Sequence, residues 1–317
     1  MTSFGECGLA VGHATDAAGA TGCTVLRGVS GPVRAGVHVP GRATGTRELA
    51  LLEPSALVDR VDAILLAGGS AYGLDAAAGV MRWMEERRRG FDVGAGVVPI
   101  VPAAVIFDLL PLGRFESRPT PEMAYWACDD AITDGVQEGS IGAGTGATVG
   151  KAAGPGHVMK GGVGCGAADG GAVRVRALAV VNAFGDVRDG AGRIIAGART
   201  SSGEWLDSAA IVARGGEDAS RFDQLAGRNT TLCVIATNAS FDRVQLASLA
   251  RAAAAALYRR ITPVTTAFDG DVVFATSPYA DGVSAPAQQV EALAVLALEM
   301  AIERAVRTSA PGDIAPA

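Results

Sequence analysis

Residues 227–239 join a polar loop to an apolar strand, and this junction holds residue types that could perform chemistry. Thr230 and Thr231 follow Asn229 directly, ahead of the run Leu-Cys-Val-Ile-Ala. A threonine freed at its amino end carries a hydroxyl nucleophile and an amine that can take the proton of that hydroxyl. The junction is therefore a candidate point of self-cleavage before Thr230. From composition alone an ordinary strand start is the favoured interpretation, because β-branched residues favour strands.

Histidine is scarce, and this bears on the choice of nucleophile. The chain has only His13, His38 and His157, and a Ser-His or Cys-His hydrolase must place one of them beside its nucleophile. The five cysteines form no CxxC pair and have no histidine at ligand spacing, so they predict buried thiols and no metal site. A nucleophile that needs no histidine fits this composition.

Ser70 is the second candidate nucleophile, because it lies between a predicted buried strand at 61–67 and a predicted helix at 71–89. The pattern G-x-S-x-G of a nucleophile elbow is met at Gly68 but requires glycine where Tyr72 stands. A turn or helix-capping serine is the simpler interpretation. A serine hydrolase acting through Ser70 stays an alternative.

Lys151 lies in a glycine-rich stretch, residues 139–171, which invites comparison with a phosphate-binding loop. The pattern GxxxxGK[ST] fails twice, at Thr145 and at Ala152, and no cofactor is expected. A lysine among glycines can instead act as an electrostatic or proton-handling group for a neighbouring hydroxyl. The stretch itself predicts closely approaching backbone around a site.

Composition sets the class of protein. The formal net charge is -6 and no basic stripe is present, which excludes nucleic acid as the expected partner. The first residues lack the order of a signal peptide, and no long apolar run predicts a membrane span, so a cytoplasmic protein is expected. With 317 residues and 49% hydrophobic content, the chain suits one large domain or two fused ones, and a single domain, 1–317, is the prediction.

Strand and helix patterns alternate along the chain and indicate an α/β fold. Short strands are predicted before residue 60, and the segment 200–226 is predicted to be polar and mobile, like the tail 308–317. The other predicted elements are strands at 97–108, 173–182, 231–237 and 272–276, and helices at 121–132, 241–258 and 288–307.

Five segments occur in the order found in one family, and they span nearly the whole chain: 66–80, 99–108, 142–151, 229–232 and 268–271. On these segments the chain resembles the P1-type aminopeptidases of the L-aminopeptidase/D-esterase group. That group includes β-peptidyl aminopeptidases and the nylon-oligomer (6-aminohexanoate oligomer) hydrolase. The resemblance implies an αββα sandwich, similar to N-terminal-nucleophile hydrolases but differently connected.

The resemblance also implies processing and assembly. The precursor is expected to cut the Asn229–Thr230 bond, giving an α-chain 1–229 and a β-chain 230–317, and to assemble into tetramers of the cleaved heterodimer. Neither a metal nor a cofactor is expected. The implied reaction is hydrolysis of C–N amide bonds, on N-terminal residues of peptides, β-amino-acid amides, amino-acid esters or 6-aminohexanoate oligomers. An uncleaved member that only binds a small molecule is the rival interpretation.

Roles for individual residues are likewise implied by the resemblance. Lys151 is expected to tune the Thr230 nucleophile, and Asn182 to help bind the oxyanion. Asp269 and Asp271, which as an Asp-Gly-Asp sequence also fit a plain turn, are expected to steady the new ammonium group of Thr230.

A substrate pocket formed with Ser70, Tyr72 and Phe107 is also expected. Threonine as nucleophile resembles the nylon-oligomer branch, whereas the aminopeptidases use serine. The nylon-oligomer enzyme has tyrosine where this chain has Phe107. One hydrogen-bond donor to an oxyanion is worth about 10²–10³ in rate, so Phe107 puts activity on nylon oligomers in question.

Overall fold

The computed structural model describes residues 2–215 and 228–309. The strands are β1 (Leu9–Asp16), β2 (Thr21–Gly28), β3 (Val33–His38), β4 (Gly45–Arg47), β5 (Ala63–Ala67), β6 (Phe91–Asp92), β7 (Val97–Val98), β8 (Ala103–Val105), β9 (Thr148–Val149), β10 (Met159–Lys160), β11 (Gly162–Gly170), β12 (Val173–Asn182), β13 (Asp186–Arg188), β14 (Ile194–Ala196), β15 (Thr230–Thr237), β16 (Ile261–Thr262) and β17 (Val272–Pro278). The α-helices are α1 (Ala77–Glu86), α2 (Pro121–Asp129), α3 (Ser208–Arg214), α4 (Arg243–Ala253), α5 (Ala255–Arg260) and α6 (Ala287–Arg307). Among these helices none is both long enough and apolar enough to cross a bilayer.

Two five-stranded sheets face each other and form the middle of the fold. Their strand orders are β1-β2-β5-β8-β4 and β11-β12-β15-β17-β3. Apolar side chains from both sheets fill the space between them, including Leu66 and Ile106 from the first sheet and Leu178, Leu232 and Phe274 from the second. Alternate residues of these strands point to opposite faces, so each sheet also offers an apolar outer face.

Helices cover both outer faces. Trp83 and Met84 of α1 and Ala124 of α2 pack on the first sheet, whereas Leu246 of α4 and Leu298 of α6 pack on the second. The four layers are the αββα sandwich that the resemblance implies, and that prediction is confirmed. All five cysteines, which lie within the described residues, are buried free thiols, as predicted.

Part of the glycine-rich region serves helix packing rather than a site. Gly164 and Gly166 lie on one face of β11, against α6. A Cβ atom would lie 2.1 Å from the Ala301 carbonyl oxygen at Gly164 and 1.9 Å from the Ala297 carbonyl oxygen at Gly166. The prediction that this whole stretch surrounds a site was therefore too broad.

Local sequence signals predict the positions of most helices and strands well. Two of the predicted helices are not continuous α-helices in the structure. The predicted helix 71–89 begins as a 3₁₀ turn, Ser70–Ala76, before α1. Gly73 packs so closely there that its Cβ would lie 1.9 Å from the Gly68 carbonyl oxygen. The predicted helix 241–258 is divided at Ala254 into α4 and α5.

The polar segment 200–226 is not irregular throughout. It contains α3, whose first turn is capped by the Asp207 carboxylate, which accepts hydrogen bonds from the N–H groups of Ala209 and Ala210. Residues 216–226 of this segment, residue 227 and residues 310–317 of the tail lie outside the described residues.

Strand β15 is the central strand of the second sheet. The candidate site forms at the edge of the sheet where the strand ends meet, at the first residue of β15. Strand β15 pairs antiparallel with β12, placing Asn182 opposite Thr230, and parallel with β17, placing Leu232 opposite Val272. Parallel strands begin at the same edge of a sheet. The end of β12 and the starts of β15 and β17 therefore meet at one edge.

Candidate active site

Five of the residues expected to act in catalysis come together at this edge. All five side chains are at least nine-tenths buried. The residues are Lys151, Asn182, Thr230, Asp269 and Asp271. Asn182 ends β12 and Thr230 begins β15, whereas Asp269 and Asp271 lie just before β17. Lys151 follows β9, which pairs with β10 beside the same edge. The roles assigned to them remain predictions.

The Thr230 hydroxyl lies against the carbonyl group that precedes it. Thr230 Oγ1 donates a hydrogen bond of 2.6 Å to the Asn229 carbonyl oxygen. The Gly270 N–H donates to the same oxygen at 2.8 Å. A hydroxyl and a backbone donor thus converge on the carbonyl of the Asn229–Thr230 bond, which is where negative charge would develop if the hydroxyl attacked it.

Asn182 is held in one orientation by four hydrogen bonds. Its Oδ1 accepts from the Thr148 N–H at 3.0 Å and from Lys151 Nζ at 2.8 Å. Its Nδ2 donates to the carbonyl oxygens of Phe107, at 3.1 Å, and Arg228, at 3.3 Å. Because two donors face one atom and two acceptors face the other, the network assigns the amide unambiguously.

The Lys151 ammonium group is enclosed by oxygen atoms. It donates to the carbonyl oxygen of Asn182 at 2.9 Å and to that of Arg228 at 3.0 Å, besides the Asn182 side chain. Burial lowers the pKa of Lys151 to about 7, against the opposing effect of the negative charges of Asp269, Asp108 and Asp271. A group with this pKa can exchange a proton near neutral pH.

The two carboxylates of the Asp-Gly-Asp sequence hold backbone around the Thr230 position. Asp271 accepts hydrogen bonds from the N–H of Thr231 at 2.6 Å and from that of Thr265 at 3.2 Å. Asp269 accepts from the N–H and the hydroxyl of Thr266, at 2.8 and 2.7 Å. Burial raises the pKa of both carboxyl groups, and the charge of Asp269 raises that of Asp271 further. In the intact chain, Asp271 anchors the residue just after the candidate nucleophile.

Phe107 and Tyr72, both expected in a substrate pocket, lie in different surroundings. Phe107 joins the candidate site through its carbonyl group, and its ring lies 5.5 Å from the Arg228 guanidinium carbon. Tyr72 is 53% exposed, and its ring stacks with the Arg118 guanidinium at 3.5 Å. Tyr72 lines a separate open cavity of about 770 Å³ together with Arg118.

Ser70 lies on the turn after β5, and no hydrogen bond joins it to a histidine in the part of the chain that the structure describes. Its φ of 53° is in the left-handed region, and its N–H donates to the Ile106 carbonyl oxygen at 2.9 Å. The His13 ring bonds to Thr24, and the His157 ring bonds to the Arg199 carbonyl oxygen. The geometry that a Ser-His nucleophile needs is not assembled around Ser70 by either of these rings.

Sequence reasoning gave no role to three residues that contact the site or its supports, namely Asp108, Lys160 and Gly270. Lys160 carried the same signal as Lys151, a lysine among glycines, and Asp108 follows a long apolar run directly. Gly270 contributes a backbone N–H, and such a donor leaves no side-chain signal in a sequence.

The chain is similar to known proteins over most of its length. The model of peptidase family S58 matches residues 7–310. An uncharacterized aminopeptidase of Mycobacterium leprae is 43% identical over 293 residues, covering 84% of this chain and 76% of the relative. An uncharacterized aminopeptidase of Mycobacterium tuberculosis is 41% identical over 327 residues, covering 98% and 90%. A 6-aminohexanoate-oligomer endohydrolase of an Agromyces species is 31% identical over 294 residues, covering 87% and 75%.

Solved structures share the fold at low sequence identity. The L-aminopeptidase D-Ala-esterase/amidase of Ochrobactrum anthropi, described as a variant of the Ntn-hydrolase fold, has a TM-score of 0.68 at 22% identity and covers 95% of this chain and 84% of its own. A β-aminopeptidase of a Burkholderia species has a TM-score of 0.68 at 18% identity, covering 96% and 86%. The fold and the family match over nearly the whole length agree with the resemblance seen in the sequence, and the chain belongs to peptidase family S58.

Proposed function

We propose that this chain is an N-terminal-threonine amidohydrolase that first cuts its own Asn229–Thr230 bond and then hydrolyses amide bonds of peptide-like substrates. One observation carries the proposal. The Thr230 hydroxyl and the Gly270 N–H both bond to the Asn229 carbonyl oxygen, where Asn229 is 0% and Thr230 3% exposed.

In the self-cleavage step, Thr230 Oγ1 attacks the Asn229 carbonyl carbon, and the Gly270 N–H stabilises the negative charge that forms on the oxygen. The carbon–nitrogen bond then breaks, and the Thr230 nitrogen gains the proton that the hydroxyl loses. The resulting ester is hydrolysed by water. The products are a carboxylate at Asn229, which ends chain 1–229, and a free amine and hydroxyl at Thr230, which begins chain 230–317.

In the second reaction, the freed Thr230 amine takes the proton of its own hydroxyl, which attacks the amide carbonyl of the substrate. Lys151 and Asn182 supply the donors for that carbonyl. In the intact chain both bond to the Arg228 carbonyl oxygen, at 3.0 and 3.3 Å. Departure of the new chain end would release these donors for the substrate, and water would then hydrolyse the acyl-enzyme.

The proposed substrates are those with an amide bond that relatives of the chain are named for. These are amino-terminal residues of peptides, as in the two mycobacterial aminopeptidases, and 6-aminohexanoate oligomers, as in the endohydrolase. A panel of peptide anilides, β-amino-acid amides and 6-aminohexanoate oligomers decides between them. A tetramer of cleaved heterodimers is the expected assembly, and light scattering measures it.

Intact mass and amino-terminal sequencing test the proposal. The purified wild-type protein should give two fragments, one of which begins at Thr230. Thr230→Ala should stay a single chain and lose amide hydrolysis. Thr231→Ala is the matched control, because Thr231 is an adjacent, fully buried threonine of the same strand, and this variant should still be cut before residue 230. An uncut wild-type chain, or a cut at another bond, refutes the proposal.

A further inference from the structure

Two charged side chains lie behind the candidate site and have no part in the reactions just described. Asp108 is 1% exposed and directly follows Phe107, whose carbonyl group bonds to Asn182. Lys160 is paired in the sheet with Thr148, whose N–H bonds to the same asparagine. Burying a charge is costly unless it gains compensating contacts, so the buried Asp108 and the half-buried Lys160 both call for a structural account.

Asp108 ties three segments of the chain together. Its Oδ2 accepts a hydrogen bond from the Thr21 hydroxyl at 2.7 Å, and its Oδ1 accepts from the Gly69 N–H at 2.7 Å. The fit around it is tight, because a Cβ at Gly68 would lie 2.0 Å from Oδ2 and a Cβ at Gly146 would lie 2.8 Å from the Asp108 Cβ. The position of residue 108, and with it the Phe107 carbonyl, is fixed from several sides.

Lys160 likewise holds together separate backbone groups of the glycine-rich loop. Its ammonium group donates to the carbonyl oxygens of Gly144 at 2.8 Å, Ala147 at 3.1 Å and Gly161 at 3.0 Å. These three bonds use all the donors of the ammonium group. They hold the backbone just before Thr148, whose N–H reaches Asn182 Oδ1 at 3.0 Å.

The two contacts act on opposite atoms of one amide. The Phe107 carbonyl accepts from Asn182 Nδ2, and the Thr148 N–H donates to Asn182 Oδ1. Together they prevent the amide from rotating, so that Nδ2 keeps facing the position now taken by the Arg228 carbonyl oxygen. Catalytic donors contribute most when their position is fixed before the reaction.

We propose that Asp108 and Lys160 are positioning residues, which hold the Phe107 carbonyl and the Thr148 N–H so that the Asn182 amide presents Nδ2 to the reacting carbonyl. This inference rests on the proposed function, in which Asn182 binds the substrate carbonyl. Neither side chain touches the substrate, and each acts through the backbone group beside it.

The test compares Asp108→Ala with Asp108→Asn in the processed enzyme. Alanine should lower kcat about 10- to 100-fold and change KM less than about 3-fold, since a misplaced oxyanion donor is partly lost. Asparagine should stay within about 3-fold of wild type, because its Oδ1 can accept from Gly69 while its Nδ2 donates to the Thr21 hydroxyl. Lys160→Met should behave like Asp108→Ala.

A double-mutant cycle with Asn182→Ala shows whether Asp108 acts through that asparagine. In the Asn182→Ala background, Asp108→Ala should lower the remaining rate less than about 3-fold, because the group it positions is already gone. When a variant is not processed fully, kcat is counted per cleaved molecule, with the cleaved fraction measured by intact mass. Thr21→Val, which removes one hydrogen bond and keeps the side-chain shape, replaces Asp108→Ala if the latter does not fold.

Asp62→Ala is the matched control. Asp62 is likewise only 1% exposed, and its carboxylate accepts a hydrogen bond from the Ile100 N–H at 2.9 Å. It lies just before the start of β5, whereas the Gly68 turn follows the end of that strand. It should lower the melting temperature without lowering kcat per folded molecule. Equal losses of kcat in Asp62→Ala and Asp108→Ala, or full additivity with Asn182→Ala, overturn the positioning role. Failure of the proposed function shows separately, as an uncut wild-type chain or an active Thr230→Ala variant.

Discussion

Gly270→Ala tests the proposed self-cleavage without removing any reacting side chain. The Cβ of the new alanine would lie 2.6 Å from the Ala43 carbonyl oxygen and 2.9 Å from Thr230 Oγ1. The Ala43 backbone is fixed in place, because its N–H donates a hydrogen bond to the Asp269 carbonyl oxygen at 3.0 Å. Residue 270 must therefore move relative to the Asn229 carbonyl, or push the Thr230 hydroxyl away.

The size of the effect follows from these distances. The contact with Ala43 must open by about 0.8 Å to reach 3.4 Å, where ordinary van der Waals contact begins. The Gly270 N–H lies 2.8 Å from the Asn229 carbonyl oxygen, so a movement of that size takes it out of hydrogen-bonding range. Loss of one donor to an oxyanion costs about 10²–10³ in rate, or about 3–4 kcal/mol in the barrier.

A time course of intact mass on freshly synthesised protein measures the rate of self-cleavage. Gly282→Ala is the matched control, because its Cβ would lie 2.8 Å from Ser240 backbone atoms beyond the opposite end of β15. Gly282→Ala should lose stability and keep its cleavage rate. The reasoning is refuted if folded Gly270→Ala is cut as fast as the wild type.

Three further outcomes are expected. Thr230→Ala should remain uncut by intact mass, while Thr231→Ala is processed as in the wild type. Lys160→Met should flatten the dependence of unfolding free energy on pH between about 7 and 10, measured by denaturant titration. Burial lowers the pKa of Lys160 from 10.5 to about 7, so the unfolded chain binds more protons in this window and stability rises with pH, by about 1.4 kcal/mol per unit for such a lysine. An unchanged slope in the variant contradicts that account. Phe107→Tyr should raise kcat on 6-aminohexanoate oligomers by about 10-fold or more, if the added hydroxyl donates to the oxyanion, and equal kcat values would exclude that role.

The strands that carry the site could be predicted from the local sequence pattern. Which strands pair with each other in the sheet could not. The apolar runs at 173–182 and 231–237 correspond closely to β12 and β15. That Asn182 faces Thr230 depends on the strand order of the second sheet, which no local signal contains. The resemblance to known enzymes supplied the list of site residues, and the structure supplied the distances between them.

Residues that act through backbone or through burial were the hardest to find. Gly270 contributes an N–H that any residue carries, and only the fold shows why a side chain does not fit there. Lys160 lies among glycines and Asp108 follows an apolar run, but neither sequence pattern says which groups these side chains contact. Their role became visible only because the fold encloses them among carbonyl and N–H groups. The glycine-rich stretch, conversely, led to a predicted site that was too large, because Gly164 and Gly166 allow α6 to pack closely instead.

The strand order of the second sheet decides what a cut before Thr230 would do to the molecule. Strands β15 and β17 belong to fragment 230–317, yet they lie between β12 and β3 of fragment 1–229. The two fragments would thus be interleaved within one sheet, and neither could leave without breaking hydrogen bonds on both sides. Most chain ends fray, but this one would begin inside a fully paired strand. Hydrolysis would remove a covalent link and leave a terminus as rigid as the core around it.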